Sequence, residues 1–334
     1  MSYSHLFLTA TVDVTTRCNL HCCHCRTYQL NNEMAIDDLE LVAQELANCG
    51  VKSVFLSGGE PLVRADIVNV ISVFKRKIQE ITLNTNGTLL TSELLENILS
   101  AGVNCLQFSL DGPRKEHDMV RGKGQYEKAI QGIRLALCCR KRAEVHISTC
   151  VTMHNINLLD AFVEQIIEGE NLSVDAICFK RFVPKNVMSE CYRLGKEGLR
   201  LLMSQIDALS RKYEGRVIIA MDAPIKNVNQ PEEAERIRKK YNLSMVGCSA
   251  GSGPCIRADG TISPCSMMDV NCGNILLEGV QKAYTNRIME MLLARKLGGH
   301  CGACKSRLIC GGCRAVAEAY NGDCLSEDPE CFLW

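Results

Sequence analysis

At 334 residues the chain is long enough to bury a large core, as one domain or as two. Its 38 Lys and Arg balance 38 Asp and Glu, which excludes an overall positive field for nucleic acid and an acidic solvating tail, and points to a small or neutral partner. The opening MSYSHLFLTATVDV has no basic region leading into an apolar run, and no stretch of about 18 apolar residues occurs anywhere; a soluble cytoplasmic protein without a membrane span is expected, whose 21 cysteines read as metal ligands rather than disulfides.

Apolar stretches of strand character recur at Thr9–Val14, Ser53–Ser57, Glu80–Thr85, Asn104–Leu110, Glu144–Thr152 and Ser173–Lys180, separated by segments of helical period. In the first intervening helix Leu39, Val42, Leu46 and Cys49 share one face, Asp37 is placed to cap the start, and Gly50 ends it; Gly102 closes the helix containing Leu94, Leu95, Ile98 and Leu99. Strands alternating with helices predict an α/β fold with a parallel sheet, and six such units predict a partial (β/α)6 TIM-like barrel over residues 1–215, with its chemistry at the C-terminal ends of the strands. Leu199–Tyr213 reads as a further helix and Arg216–Met221 as one more strand, opening a bridging segment over 216–245. From 246 to 334 Gly and Cys punctuate short pieces whose apolar content is thin, so metal is expected to supply much of the stability there.

Cys18, Cys22 and Cys25, in CNLHCCHC, follow the first strand with the spacing Cys-x3-Cys-x2-Cys. Three close thiolates on one loop can hold three irons of a cubane, leaving the fourth iron open to a molecule that must be activated. Cys23 and His24 lie inside the same loop but outside the spacing, and are read as bystanders. Ser57-Gly58-Gly59-Glu60-Pro61 follows the second strand, Asn84-Thr85-Asn86-Gly87 the third and Ser109-Leu110-Asp111-Gly112 the fourth. With these motifs in order on successive strand ends, the chain resembles the radical S-adenosylmethionine (SAM) superfamily. A structural zinc knuckle with incidental glycine turns would not explain that order.

The resemblance implies that Gly58, Gly59 and Glu60 receive the methionine amino group of SAM. It also implies that Ser109 and Arg121 hold its carboxylate or ribose, and that Asn84, Asn86 and Asp111 belong to the same pocket. An electron from the reduced cluster would cleave the sulfonium, giving methionine and a 5′-deoxyadenosyl radical that takes hydrogen from substrate.

Downstream the pattern runs Cys248-x6-Cys255, Gly260-x4-Cys265, Cys301-x2-Cys304-x5-Cys310-x2-Cys313, then Cys331. Eight thiolates suffice for two fully ligated 4Fe-4S clusters. The segment resembles the SPASM extension of radical SAM enzymes, with the gap between Cys310 and Cys313 one residue shorter than usual. The resemblance implies one auxiliary cluster on Cys248, Cys255, Cys265 and Cys313, a second on Cys301, Cys304, Cys310 and Cys331, and three 4Fe-4S clusters in all. Spacing alone also permits two interleaved zinc sites. Cys272, Cys324, Cys49, Cys105, Cys138, Cys139, Cys150, Cys178 and Cys191 are read as ordinary structural residues.

SPASM enzymes mostly modify peptides or proteins, while one branch acts on tetrapyrroles on the way to heme, and the tail from Cys310 to Cys331 resembles both. The leading expectation is a peptide or protein maturase; a tetrapyrrole side-chain decarboxylase or deacetylase comes second, and an iron–sulfur electron carrier third, disfavoured because a carrier needs no SAM pocket. Ser266, where sulfatase maturases carry an acid, counts against that activity. A peptide substrate would need a separate recognition protein or direct binding by the barrel, since no such domain precedes Thr9. Lys180, Arg181 and Lys185 are candidates to meet propionates, though a short basic run is commonly solvated surface. His117, His146 and His154 show no pairing. By analogy the electron donor is a ferredoxin or flavodoxin.

Overall fold

The computed structural model describes residues 9–26, 32–139, 143–185, 187–240 and 247–334. The expected boundary near residue 245 and the first eight residues lie outside them.

Seven strands run parallel in chain order: β1 (Thr9–Thr15), β2 (Ser53–Gly58), β3 (Glu80–Thr85), β4 (Cys105–Ser109), β5 (Glu144–Val151), β6 (Ala176–Arg181) and β7 (Ile218–Asp222). The six expected strands are all present, and β7 extends the parallel sheet past residue 215, with Phe179 opposite Met221. On the other edge the cysteine-rich segment adds β8 (Cys255–Ile256), parallel to β1 with Thr11 opposite Cys255, and β9 (Ile262–Ser263), antiparallel to β8. One nine-stranded sheet therefore joins the two regions.

Strand order equal to chain order, combined with right-handed crossovers, puts the connecting helices on one face of the sheet. On that face Val12, Leu56, Leu83, Phe108, Ile147 and Phe179 are fully buried, in one core with Leu39, Val42 and Leu46 of α1 (Ile36–Asn48), Val70 and Phe74 of α2 (Ile67–Lys75) and Ile98 of α3 (Ser92–Ala101). Each such side chain contributes about 1.5–3 kcal/mol by burial. The alternate residues face the concave side, where Gln107 and Lys180 meet across β5. Asp37 is not the cap of α1: Ala35 holds that position without a side-chain bond, and Asp37 lies in the first turn, where its charge complements the helix N-terminus.

The apolar cluster confined mainly to the cysteine-rich segment is small, centred on Ala250, Met268, Leu292, Ala315 and Val316. Buried charge supplements it. Arg181, at the end of β6, donates to both oxygens of Asp328 at 2.7 and 2.8 Å and to Glu330 at 2.8 Å, with all three side chains nearly solvent-free. Arg314, fully buried, donates to the carbonyls of Cys324 and Ser326. Among the described residues no helix is long and apolar enough to cross a membrane.

Candidate active site

The loop carrying Cys18, Cys22 and Cys25 leaves the C-terminal end of β1 and is held from below and from the side. Buried Arg64 donates to the carbonyls of Val14 at 2.7 Å and Met34 at 3.0 Å, gripping the chain on either side of the loop. The turn after β2 continues the sheet onto it: the amide of Gly59 bonds to Thr15 O at 2.8 Å and that of Glu60 to Arg17 O at 2.9 Å. A Cβ on Gly58 would lie 2.1 Å from Thr15 O, and one on Gly59 2.1 Å from Arg17 O. These glycines thus let the turn reach the cysteine loop itself. The Glu60 carboxylate is buried and accepts from Leu62 N at 3.0 Å, Thr85 Oγ1 at 2.7 Å and Asn86 N at 2.7 Å, clamping the β2 turn to the β3 turn. Burial raises its pKa.

Asn86 reaches from β3 to the loop, its Nδ2 donating to Asn19 Oδ1 at 2.9 Å. Asn84 Oδ1 is buried without a hydrogen-bond partner, an acceptor suited to a ligand donor. Ser109 stands half-buried at the end of β4.

Asp111 is the hub of the β4 end. Its Oδ2 accepts from Arg121 Nε at 2.6 Å and its Oδ1 from Cys150 N at 2.9 Å, while Asn155 Nδ2 holds its carbonyl at 2.8 Å. Its own amide donates to His117 Nδ1 at 3.2 Å. Burial alone would raise the Asp111 pKa, but Arg121 and the histidines prevail and hold it well below the usual carboxylate range. Asp111 therefore orients Arg121 rather than offering a free carboxylate. Arg121 Nη1 lies 4.0 Å from Cys22 Sγ, whose thiol burial pushes up to about 11 against the pull of that guanidinium. His24 packs into this network: its Nε2 is 3.6 Å from Asp111 Oδ2, and burial depresses its pKa to about 4. Cys23 Sγ is 2.9 Å from the Tyr192 hydroxyl, and Tyr192 packs edge-on against His154, linking the loop to the segment after β6. Arg64 and Asn155 escaped sequence reasoning because key partners lie 30–50 residues away and no spacing marks them, whereas His117, named from sequence, pairs only six residues back with Asp111.

The basic run after β6 separates into three roles. Arg181 is committed to Asp328 and Glu330, and Lys185 donates to Arg26 O at 2.6 Å; neither is an open propionate site. Lys180 remains on the concave face, 3.3 Å from Gln107 Oε1 and in register with Asp222 of β7.

All cysteines are free thiols. Cys301, Cys304, Cys310 and Cys331 line a single cavity of about 240 Å³. Electrostatic proximity links some of the eight. Cys265 and Cys313 each feel the charge of Cys248, and Cys255 that of Cys265; Cys310 feels Cys331 and Cys301, and Cys331 feels Cys301 and Cys304. Burial, then the charge of Cys248, pushes Cys265 up to about 11, and burial, then Asp328 and the neighbouring cysteines, pushes Cys310 up to about 12, so a bound cation is what would ionise them. Gly311 and Gly312, at φ 75° and 63°, reverse the chain between Cys310 and Cys313. A Cβ on Gly312 would lie 2.8 Å from Cys301 Sγ.

Backbone amides point at several sulfurs, each 3.4 Å away: Leu20 N at Cys18, Met267 N at Cys265, Ser306 N at Cys304, Gly312 N at Cys310 and Asp328 N at Cys301. Such bonds stabilise thiolate and tune iron–sulfur centres. Among the described residues no three of these cysteines place their sulfurs within 4.8 Å of one another, whereas tetrahedral zinc would hold thiolates about 3.8 Å apart.

The family model described as "Radical SAM superfamily" matches residues 12–160. AdoMet-dependent heme synthase of Methanosarcina barkeri is 30% identical over 340 residues, covering 96% of this chain and 95% of that protein. Fe-coproporphyrin III synthase of the same organism is 25% identical, covering 96% and 86%. Among solved structures, Streptococcus suis SuiB bound to S-adenosylmethionine superposes with a TM-score of 0.74 at 19% identity, covering 98% of this chain and 76% of that one.

Proposed function

The chain belongs to the radical SAM superfamily and is an enzyme of it, and from that premise we propose that it modifies side chains of a heme-type tetrapyrrole in the cytoplasm. The observation that carries the substrate class is the near full-length likeness to a protein named AdoMet-dependent heme synthase, supported by a second relative named for an iron coproporphyrin. This reverses the order expected from sequence, where a peptide substrate led; the likeness to SuiB, at 19% identity, speaks for the fold alone.

Bound SAM and its 4Fe-4S cluster would supply a 5′-deoxyadenosyl radical able to take hydrogen from a substrate carbon. In this reading Cys18, Cys22 and Cys25 hold that cluster, and Gly58, Gly59, Glu60, Asn84, Asn86, Ser109 and Arg121 hold SAM, with Asp111 fixing the guanidinium of Arg121. The clamped turns keep these groups in place before SAM arrives, which is where the protein contributes to rate. Lys180, a cation on the concave face, meets a substrate carboxylate. The eight downstream cysteines form a SPASM-type pair of auxiliary 4Fe-4S sites, one on Cys248, Cys255, Cys265 and Cys313 and one on Cys301, Cys304, Cys310 and Cys331, a reading supported by the cavity that the second four line. A low-potential ferredoxin or flavodoxin supplies electrons, and a separate peptide-recognition protein is not required.

The test is anaerobic incubation of the loaded enzyme with SAM, dithionite and iron coproporphyrin III, following 5′-deoxyadenosine and the mass of the tetrapyrrole. Tetrapyrrole-dependent 5′-deoxyadenosine with loss of side-chain carboxyl mass is expected. Unchanged tetrapyrrole, with turnover appearing only on addition of a peptide, would return the assignment to peptide modification. Lys180→Ala is expected to raise KM for the tetrapyrrole about tenfold with kcat largely kept, as loss of a charge contact made equally in ground and transition states requires.

A further inference from the structure

At the end of the barrel opposite the cysteine loop, β4 and β5 begin side by side, and their first concave-facing residues carry ligand chemistry. Cys105 opens β4 directly opposite Glu144, which opens β5; His146, two residues on, shares the face of Glu144 and stands opposite Gln107. The ligand atoms of Cys105, Glu144 and His146 lie within 4.8 Å of one another. His146 Nε2 is 2.9 Å from Glu144 Oε2, so the two more exposed members are already drawn together, while Cys105 is buried.

We infer that Cys105, Glu144 and His146 form a mononuclear site for a divalent transition metal, zinc(II) by ligand chemistry, separate from the iron–sulfur centres. One thiolate, one imidazole and one carboxylate are the donors zinc takes, and three protein ligands leave a fourth position for water or a further thiolate. Cys178, on β6 and on the same face, stands outside the 4.8 Å group, which leaves the fourth position to water. Thr82, opposite Cys105 on β3, bonds to its sulfur and favours the thiolate. Burial otherwise pushes the Cys105 thiol up to about 12, so it is inert without a cation and a ligand with one. A metal here ties β4 to β5 at the open N-terminal mouth of the barrel, where Glu144 is largely exposed and gives the ion a way in.

The test uses anaerobically purified, fully cluster-loaded enzyme exposed to cobalt(II), desalted, and read by cobalt and iron counting and by the thiolate-to-cobalt charge-transfer band. About one cobalt per chain with that band is expected, displaced by zinc. Cys105→Ser should abolish the band, and His146→Gln should weaken binding at least about tenfold, each with iron content unchanged. Cys49→Ser, at a buried thiol of α1's C-terminal end, should leave binding intact and serves as the folding control. Absence of stoichiometric cobalt in the wild type, retention of the band in Cys105→Ser, or equal loss in Cys49→Ser would each overturn the site.

Discussion

The parallel sheet and the cysteine-rich segment hold their functional groups by different means. In the sheet, apolar burial fixes the strands, and the strand ends then place the site through backbone: Gly59 and Glu60 bond to the cysteine loop as though β2 continued, and Glu60 ties one turn to the next. In the cysteine-rich segment the small apolar cluster is supplemented by buried guanidinium groups, with Arg181 on Asp328 and Glu330, and Arg314 on Cys301 Sγ and two carbonyls. The first region is expected to survive without its metal, whereas the second depends on charge and thiolate being satisfied together.

Removing the cation that docks the tail is the strongest way to break that contrast. Arg181→Ala leaves the buried Asp328 without its cation, while Glu330 keeps Arg193 at 3.1 Å, and about 3 kcal/mol of stability should be lost. Iron should fall toward the four atoms of the N-terminal site, about one-third of the total, while far-UV circular dichroism of the barrel persists. Full iron retention would show that the tail is held by something else.

Gly59→Ala probes the backbone mechanism. Its Cβ would lie 2.1 Å from Arg17 O, a carbonyl that cannot swing aside as a side chain can. The cost should reach about 3 kcal/mol, the upper part of the overpacking range, with SAM cleavage falling while the downstream iron stays. Measured iron at both locations would show whether the damage is local.

A smaller effect comes from His117. Burial lowers its pKa from the ordinary 6.5 to about 4, so the unfolded chain binds its proton first. Its contribution is fully present above pH 6.5 and fades as the pH falls toward 4, amounting to about 2 kcal/mol between pH 7.5 and 5. Denaturant titrations of wild type and His117→Gln should differ in pH slope over that window; parallel slopes would remove His117 from the account.

Much of the sheet was legible because period-two runs and glycine turns are local signals, and the cysteine loop because its spacing is unusual. The two downstream sets come from family resemblance rather than from a local signal, and between Cys310 and Cys313 the chain turns through two positive-φ glycines. What escaped was long-range polar pairing. Arg181 looked like a substrate contact because its partners sit 147 and 149 residues away, and His24 looked idle because Asp111 reaches it only after β4 is in place. The β7 strand joined the sheet because its residues pair with β6, although its polar surroundings had suggested a bridging segment.

The most direct test of the central claim is anaerobic reconstitution followed by iron counting and a dithionite assay for 5′-deoxyadenosine, in wild type and in the Cys18, Cys22 and Cys25→Ala triple variant. Three thiolate-held clusters predict about twelve irons in the wild type and about eight in the variant, with SAM cleavage abolished only in the variant. Zinc in place of iron, or cleavage that survives the triple substitution, would contradict the account.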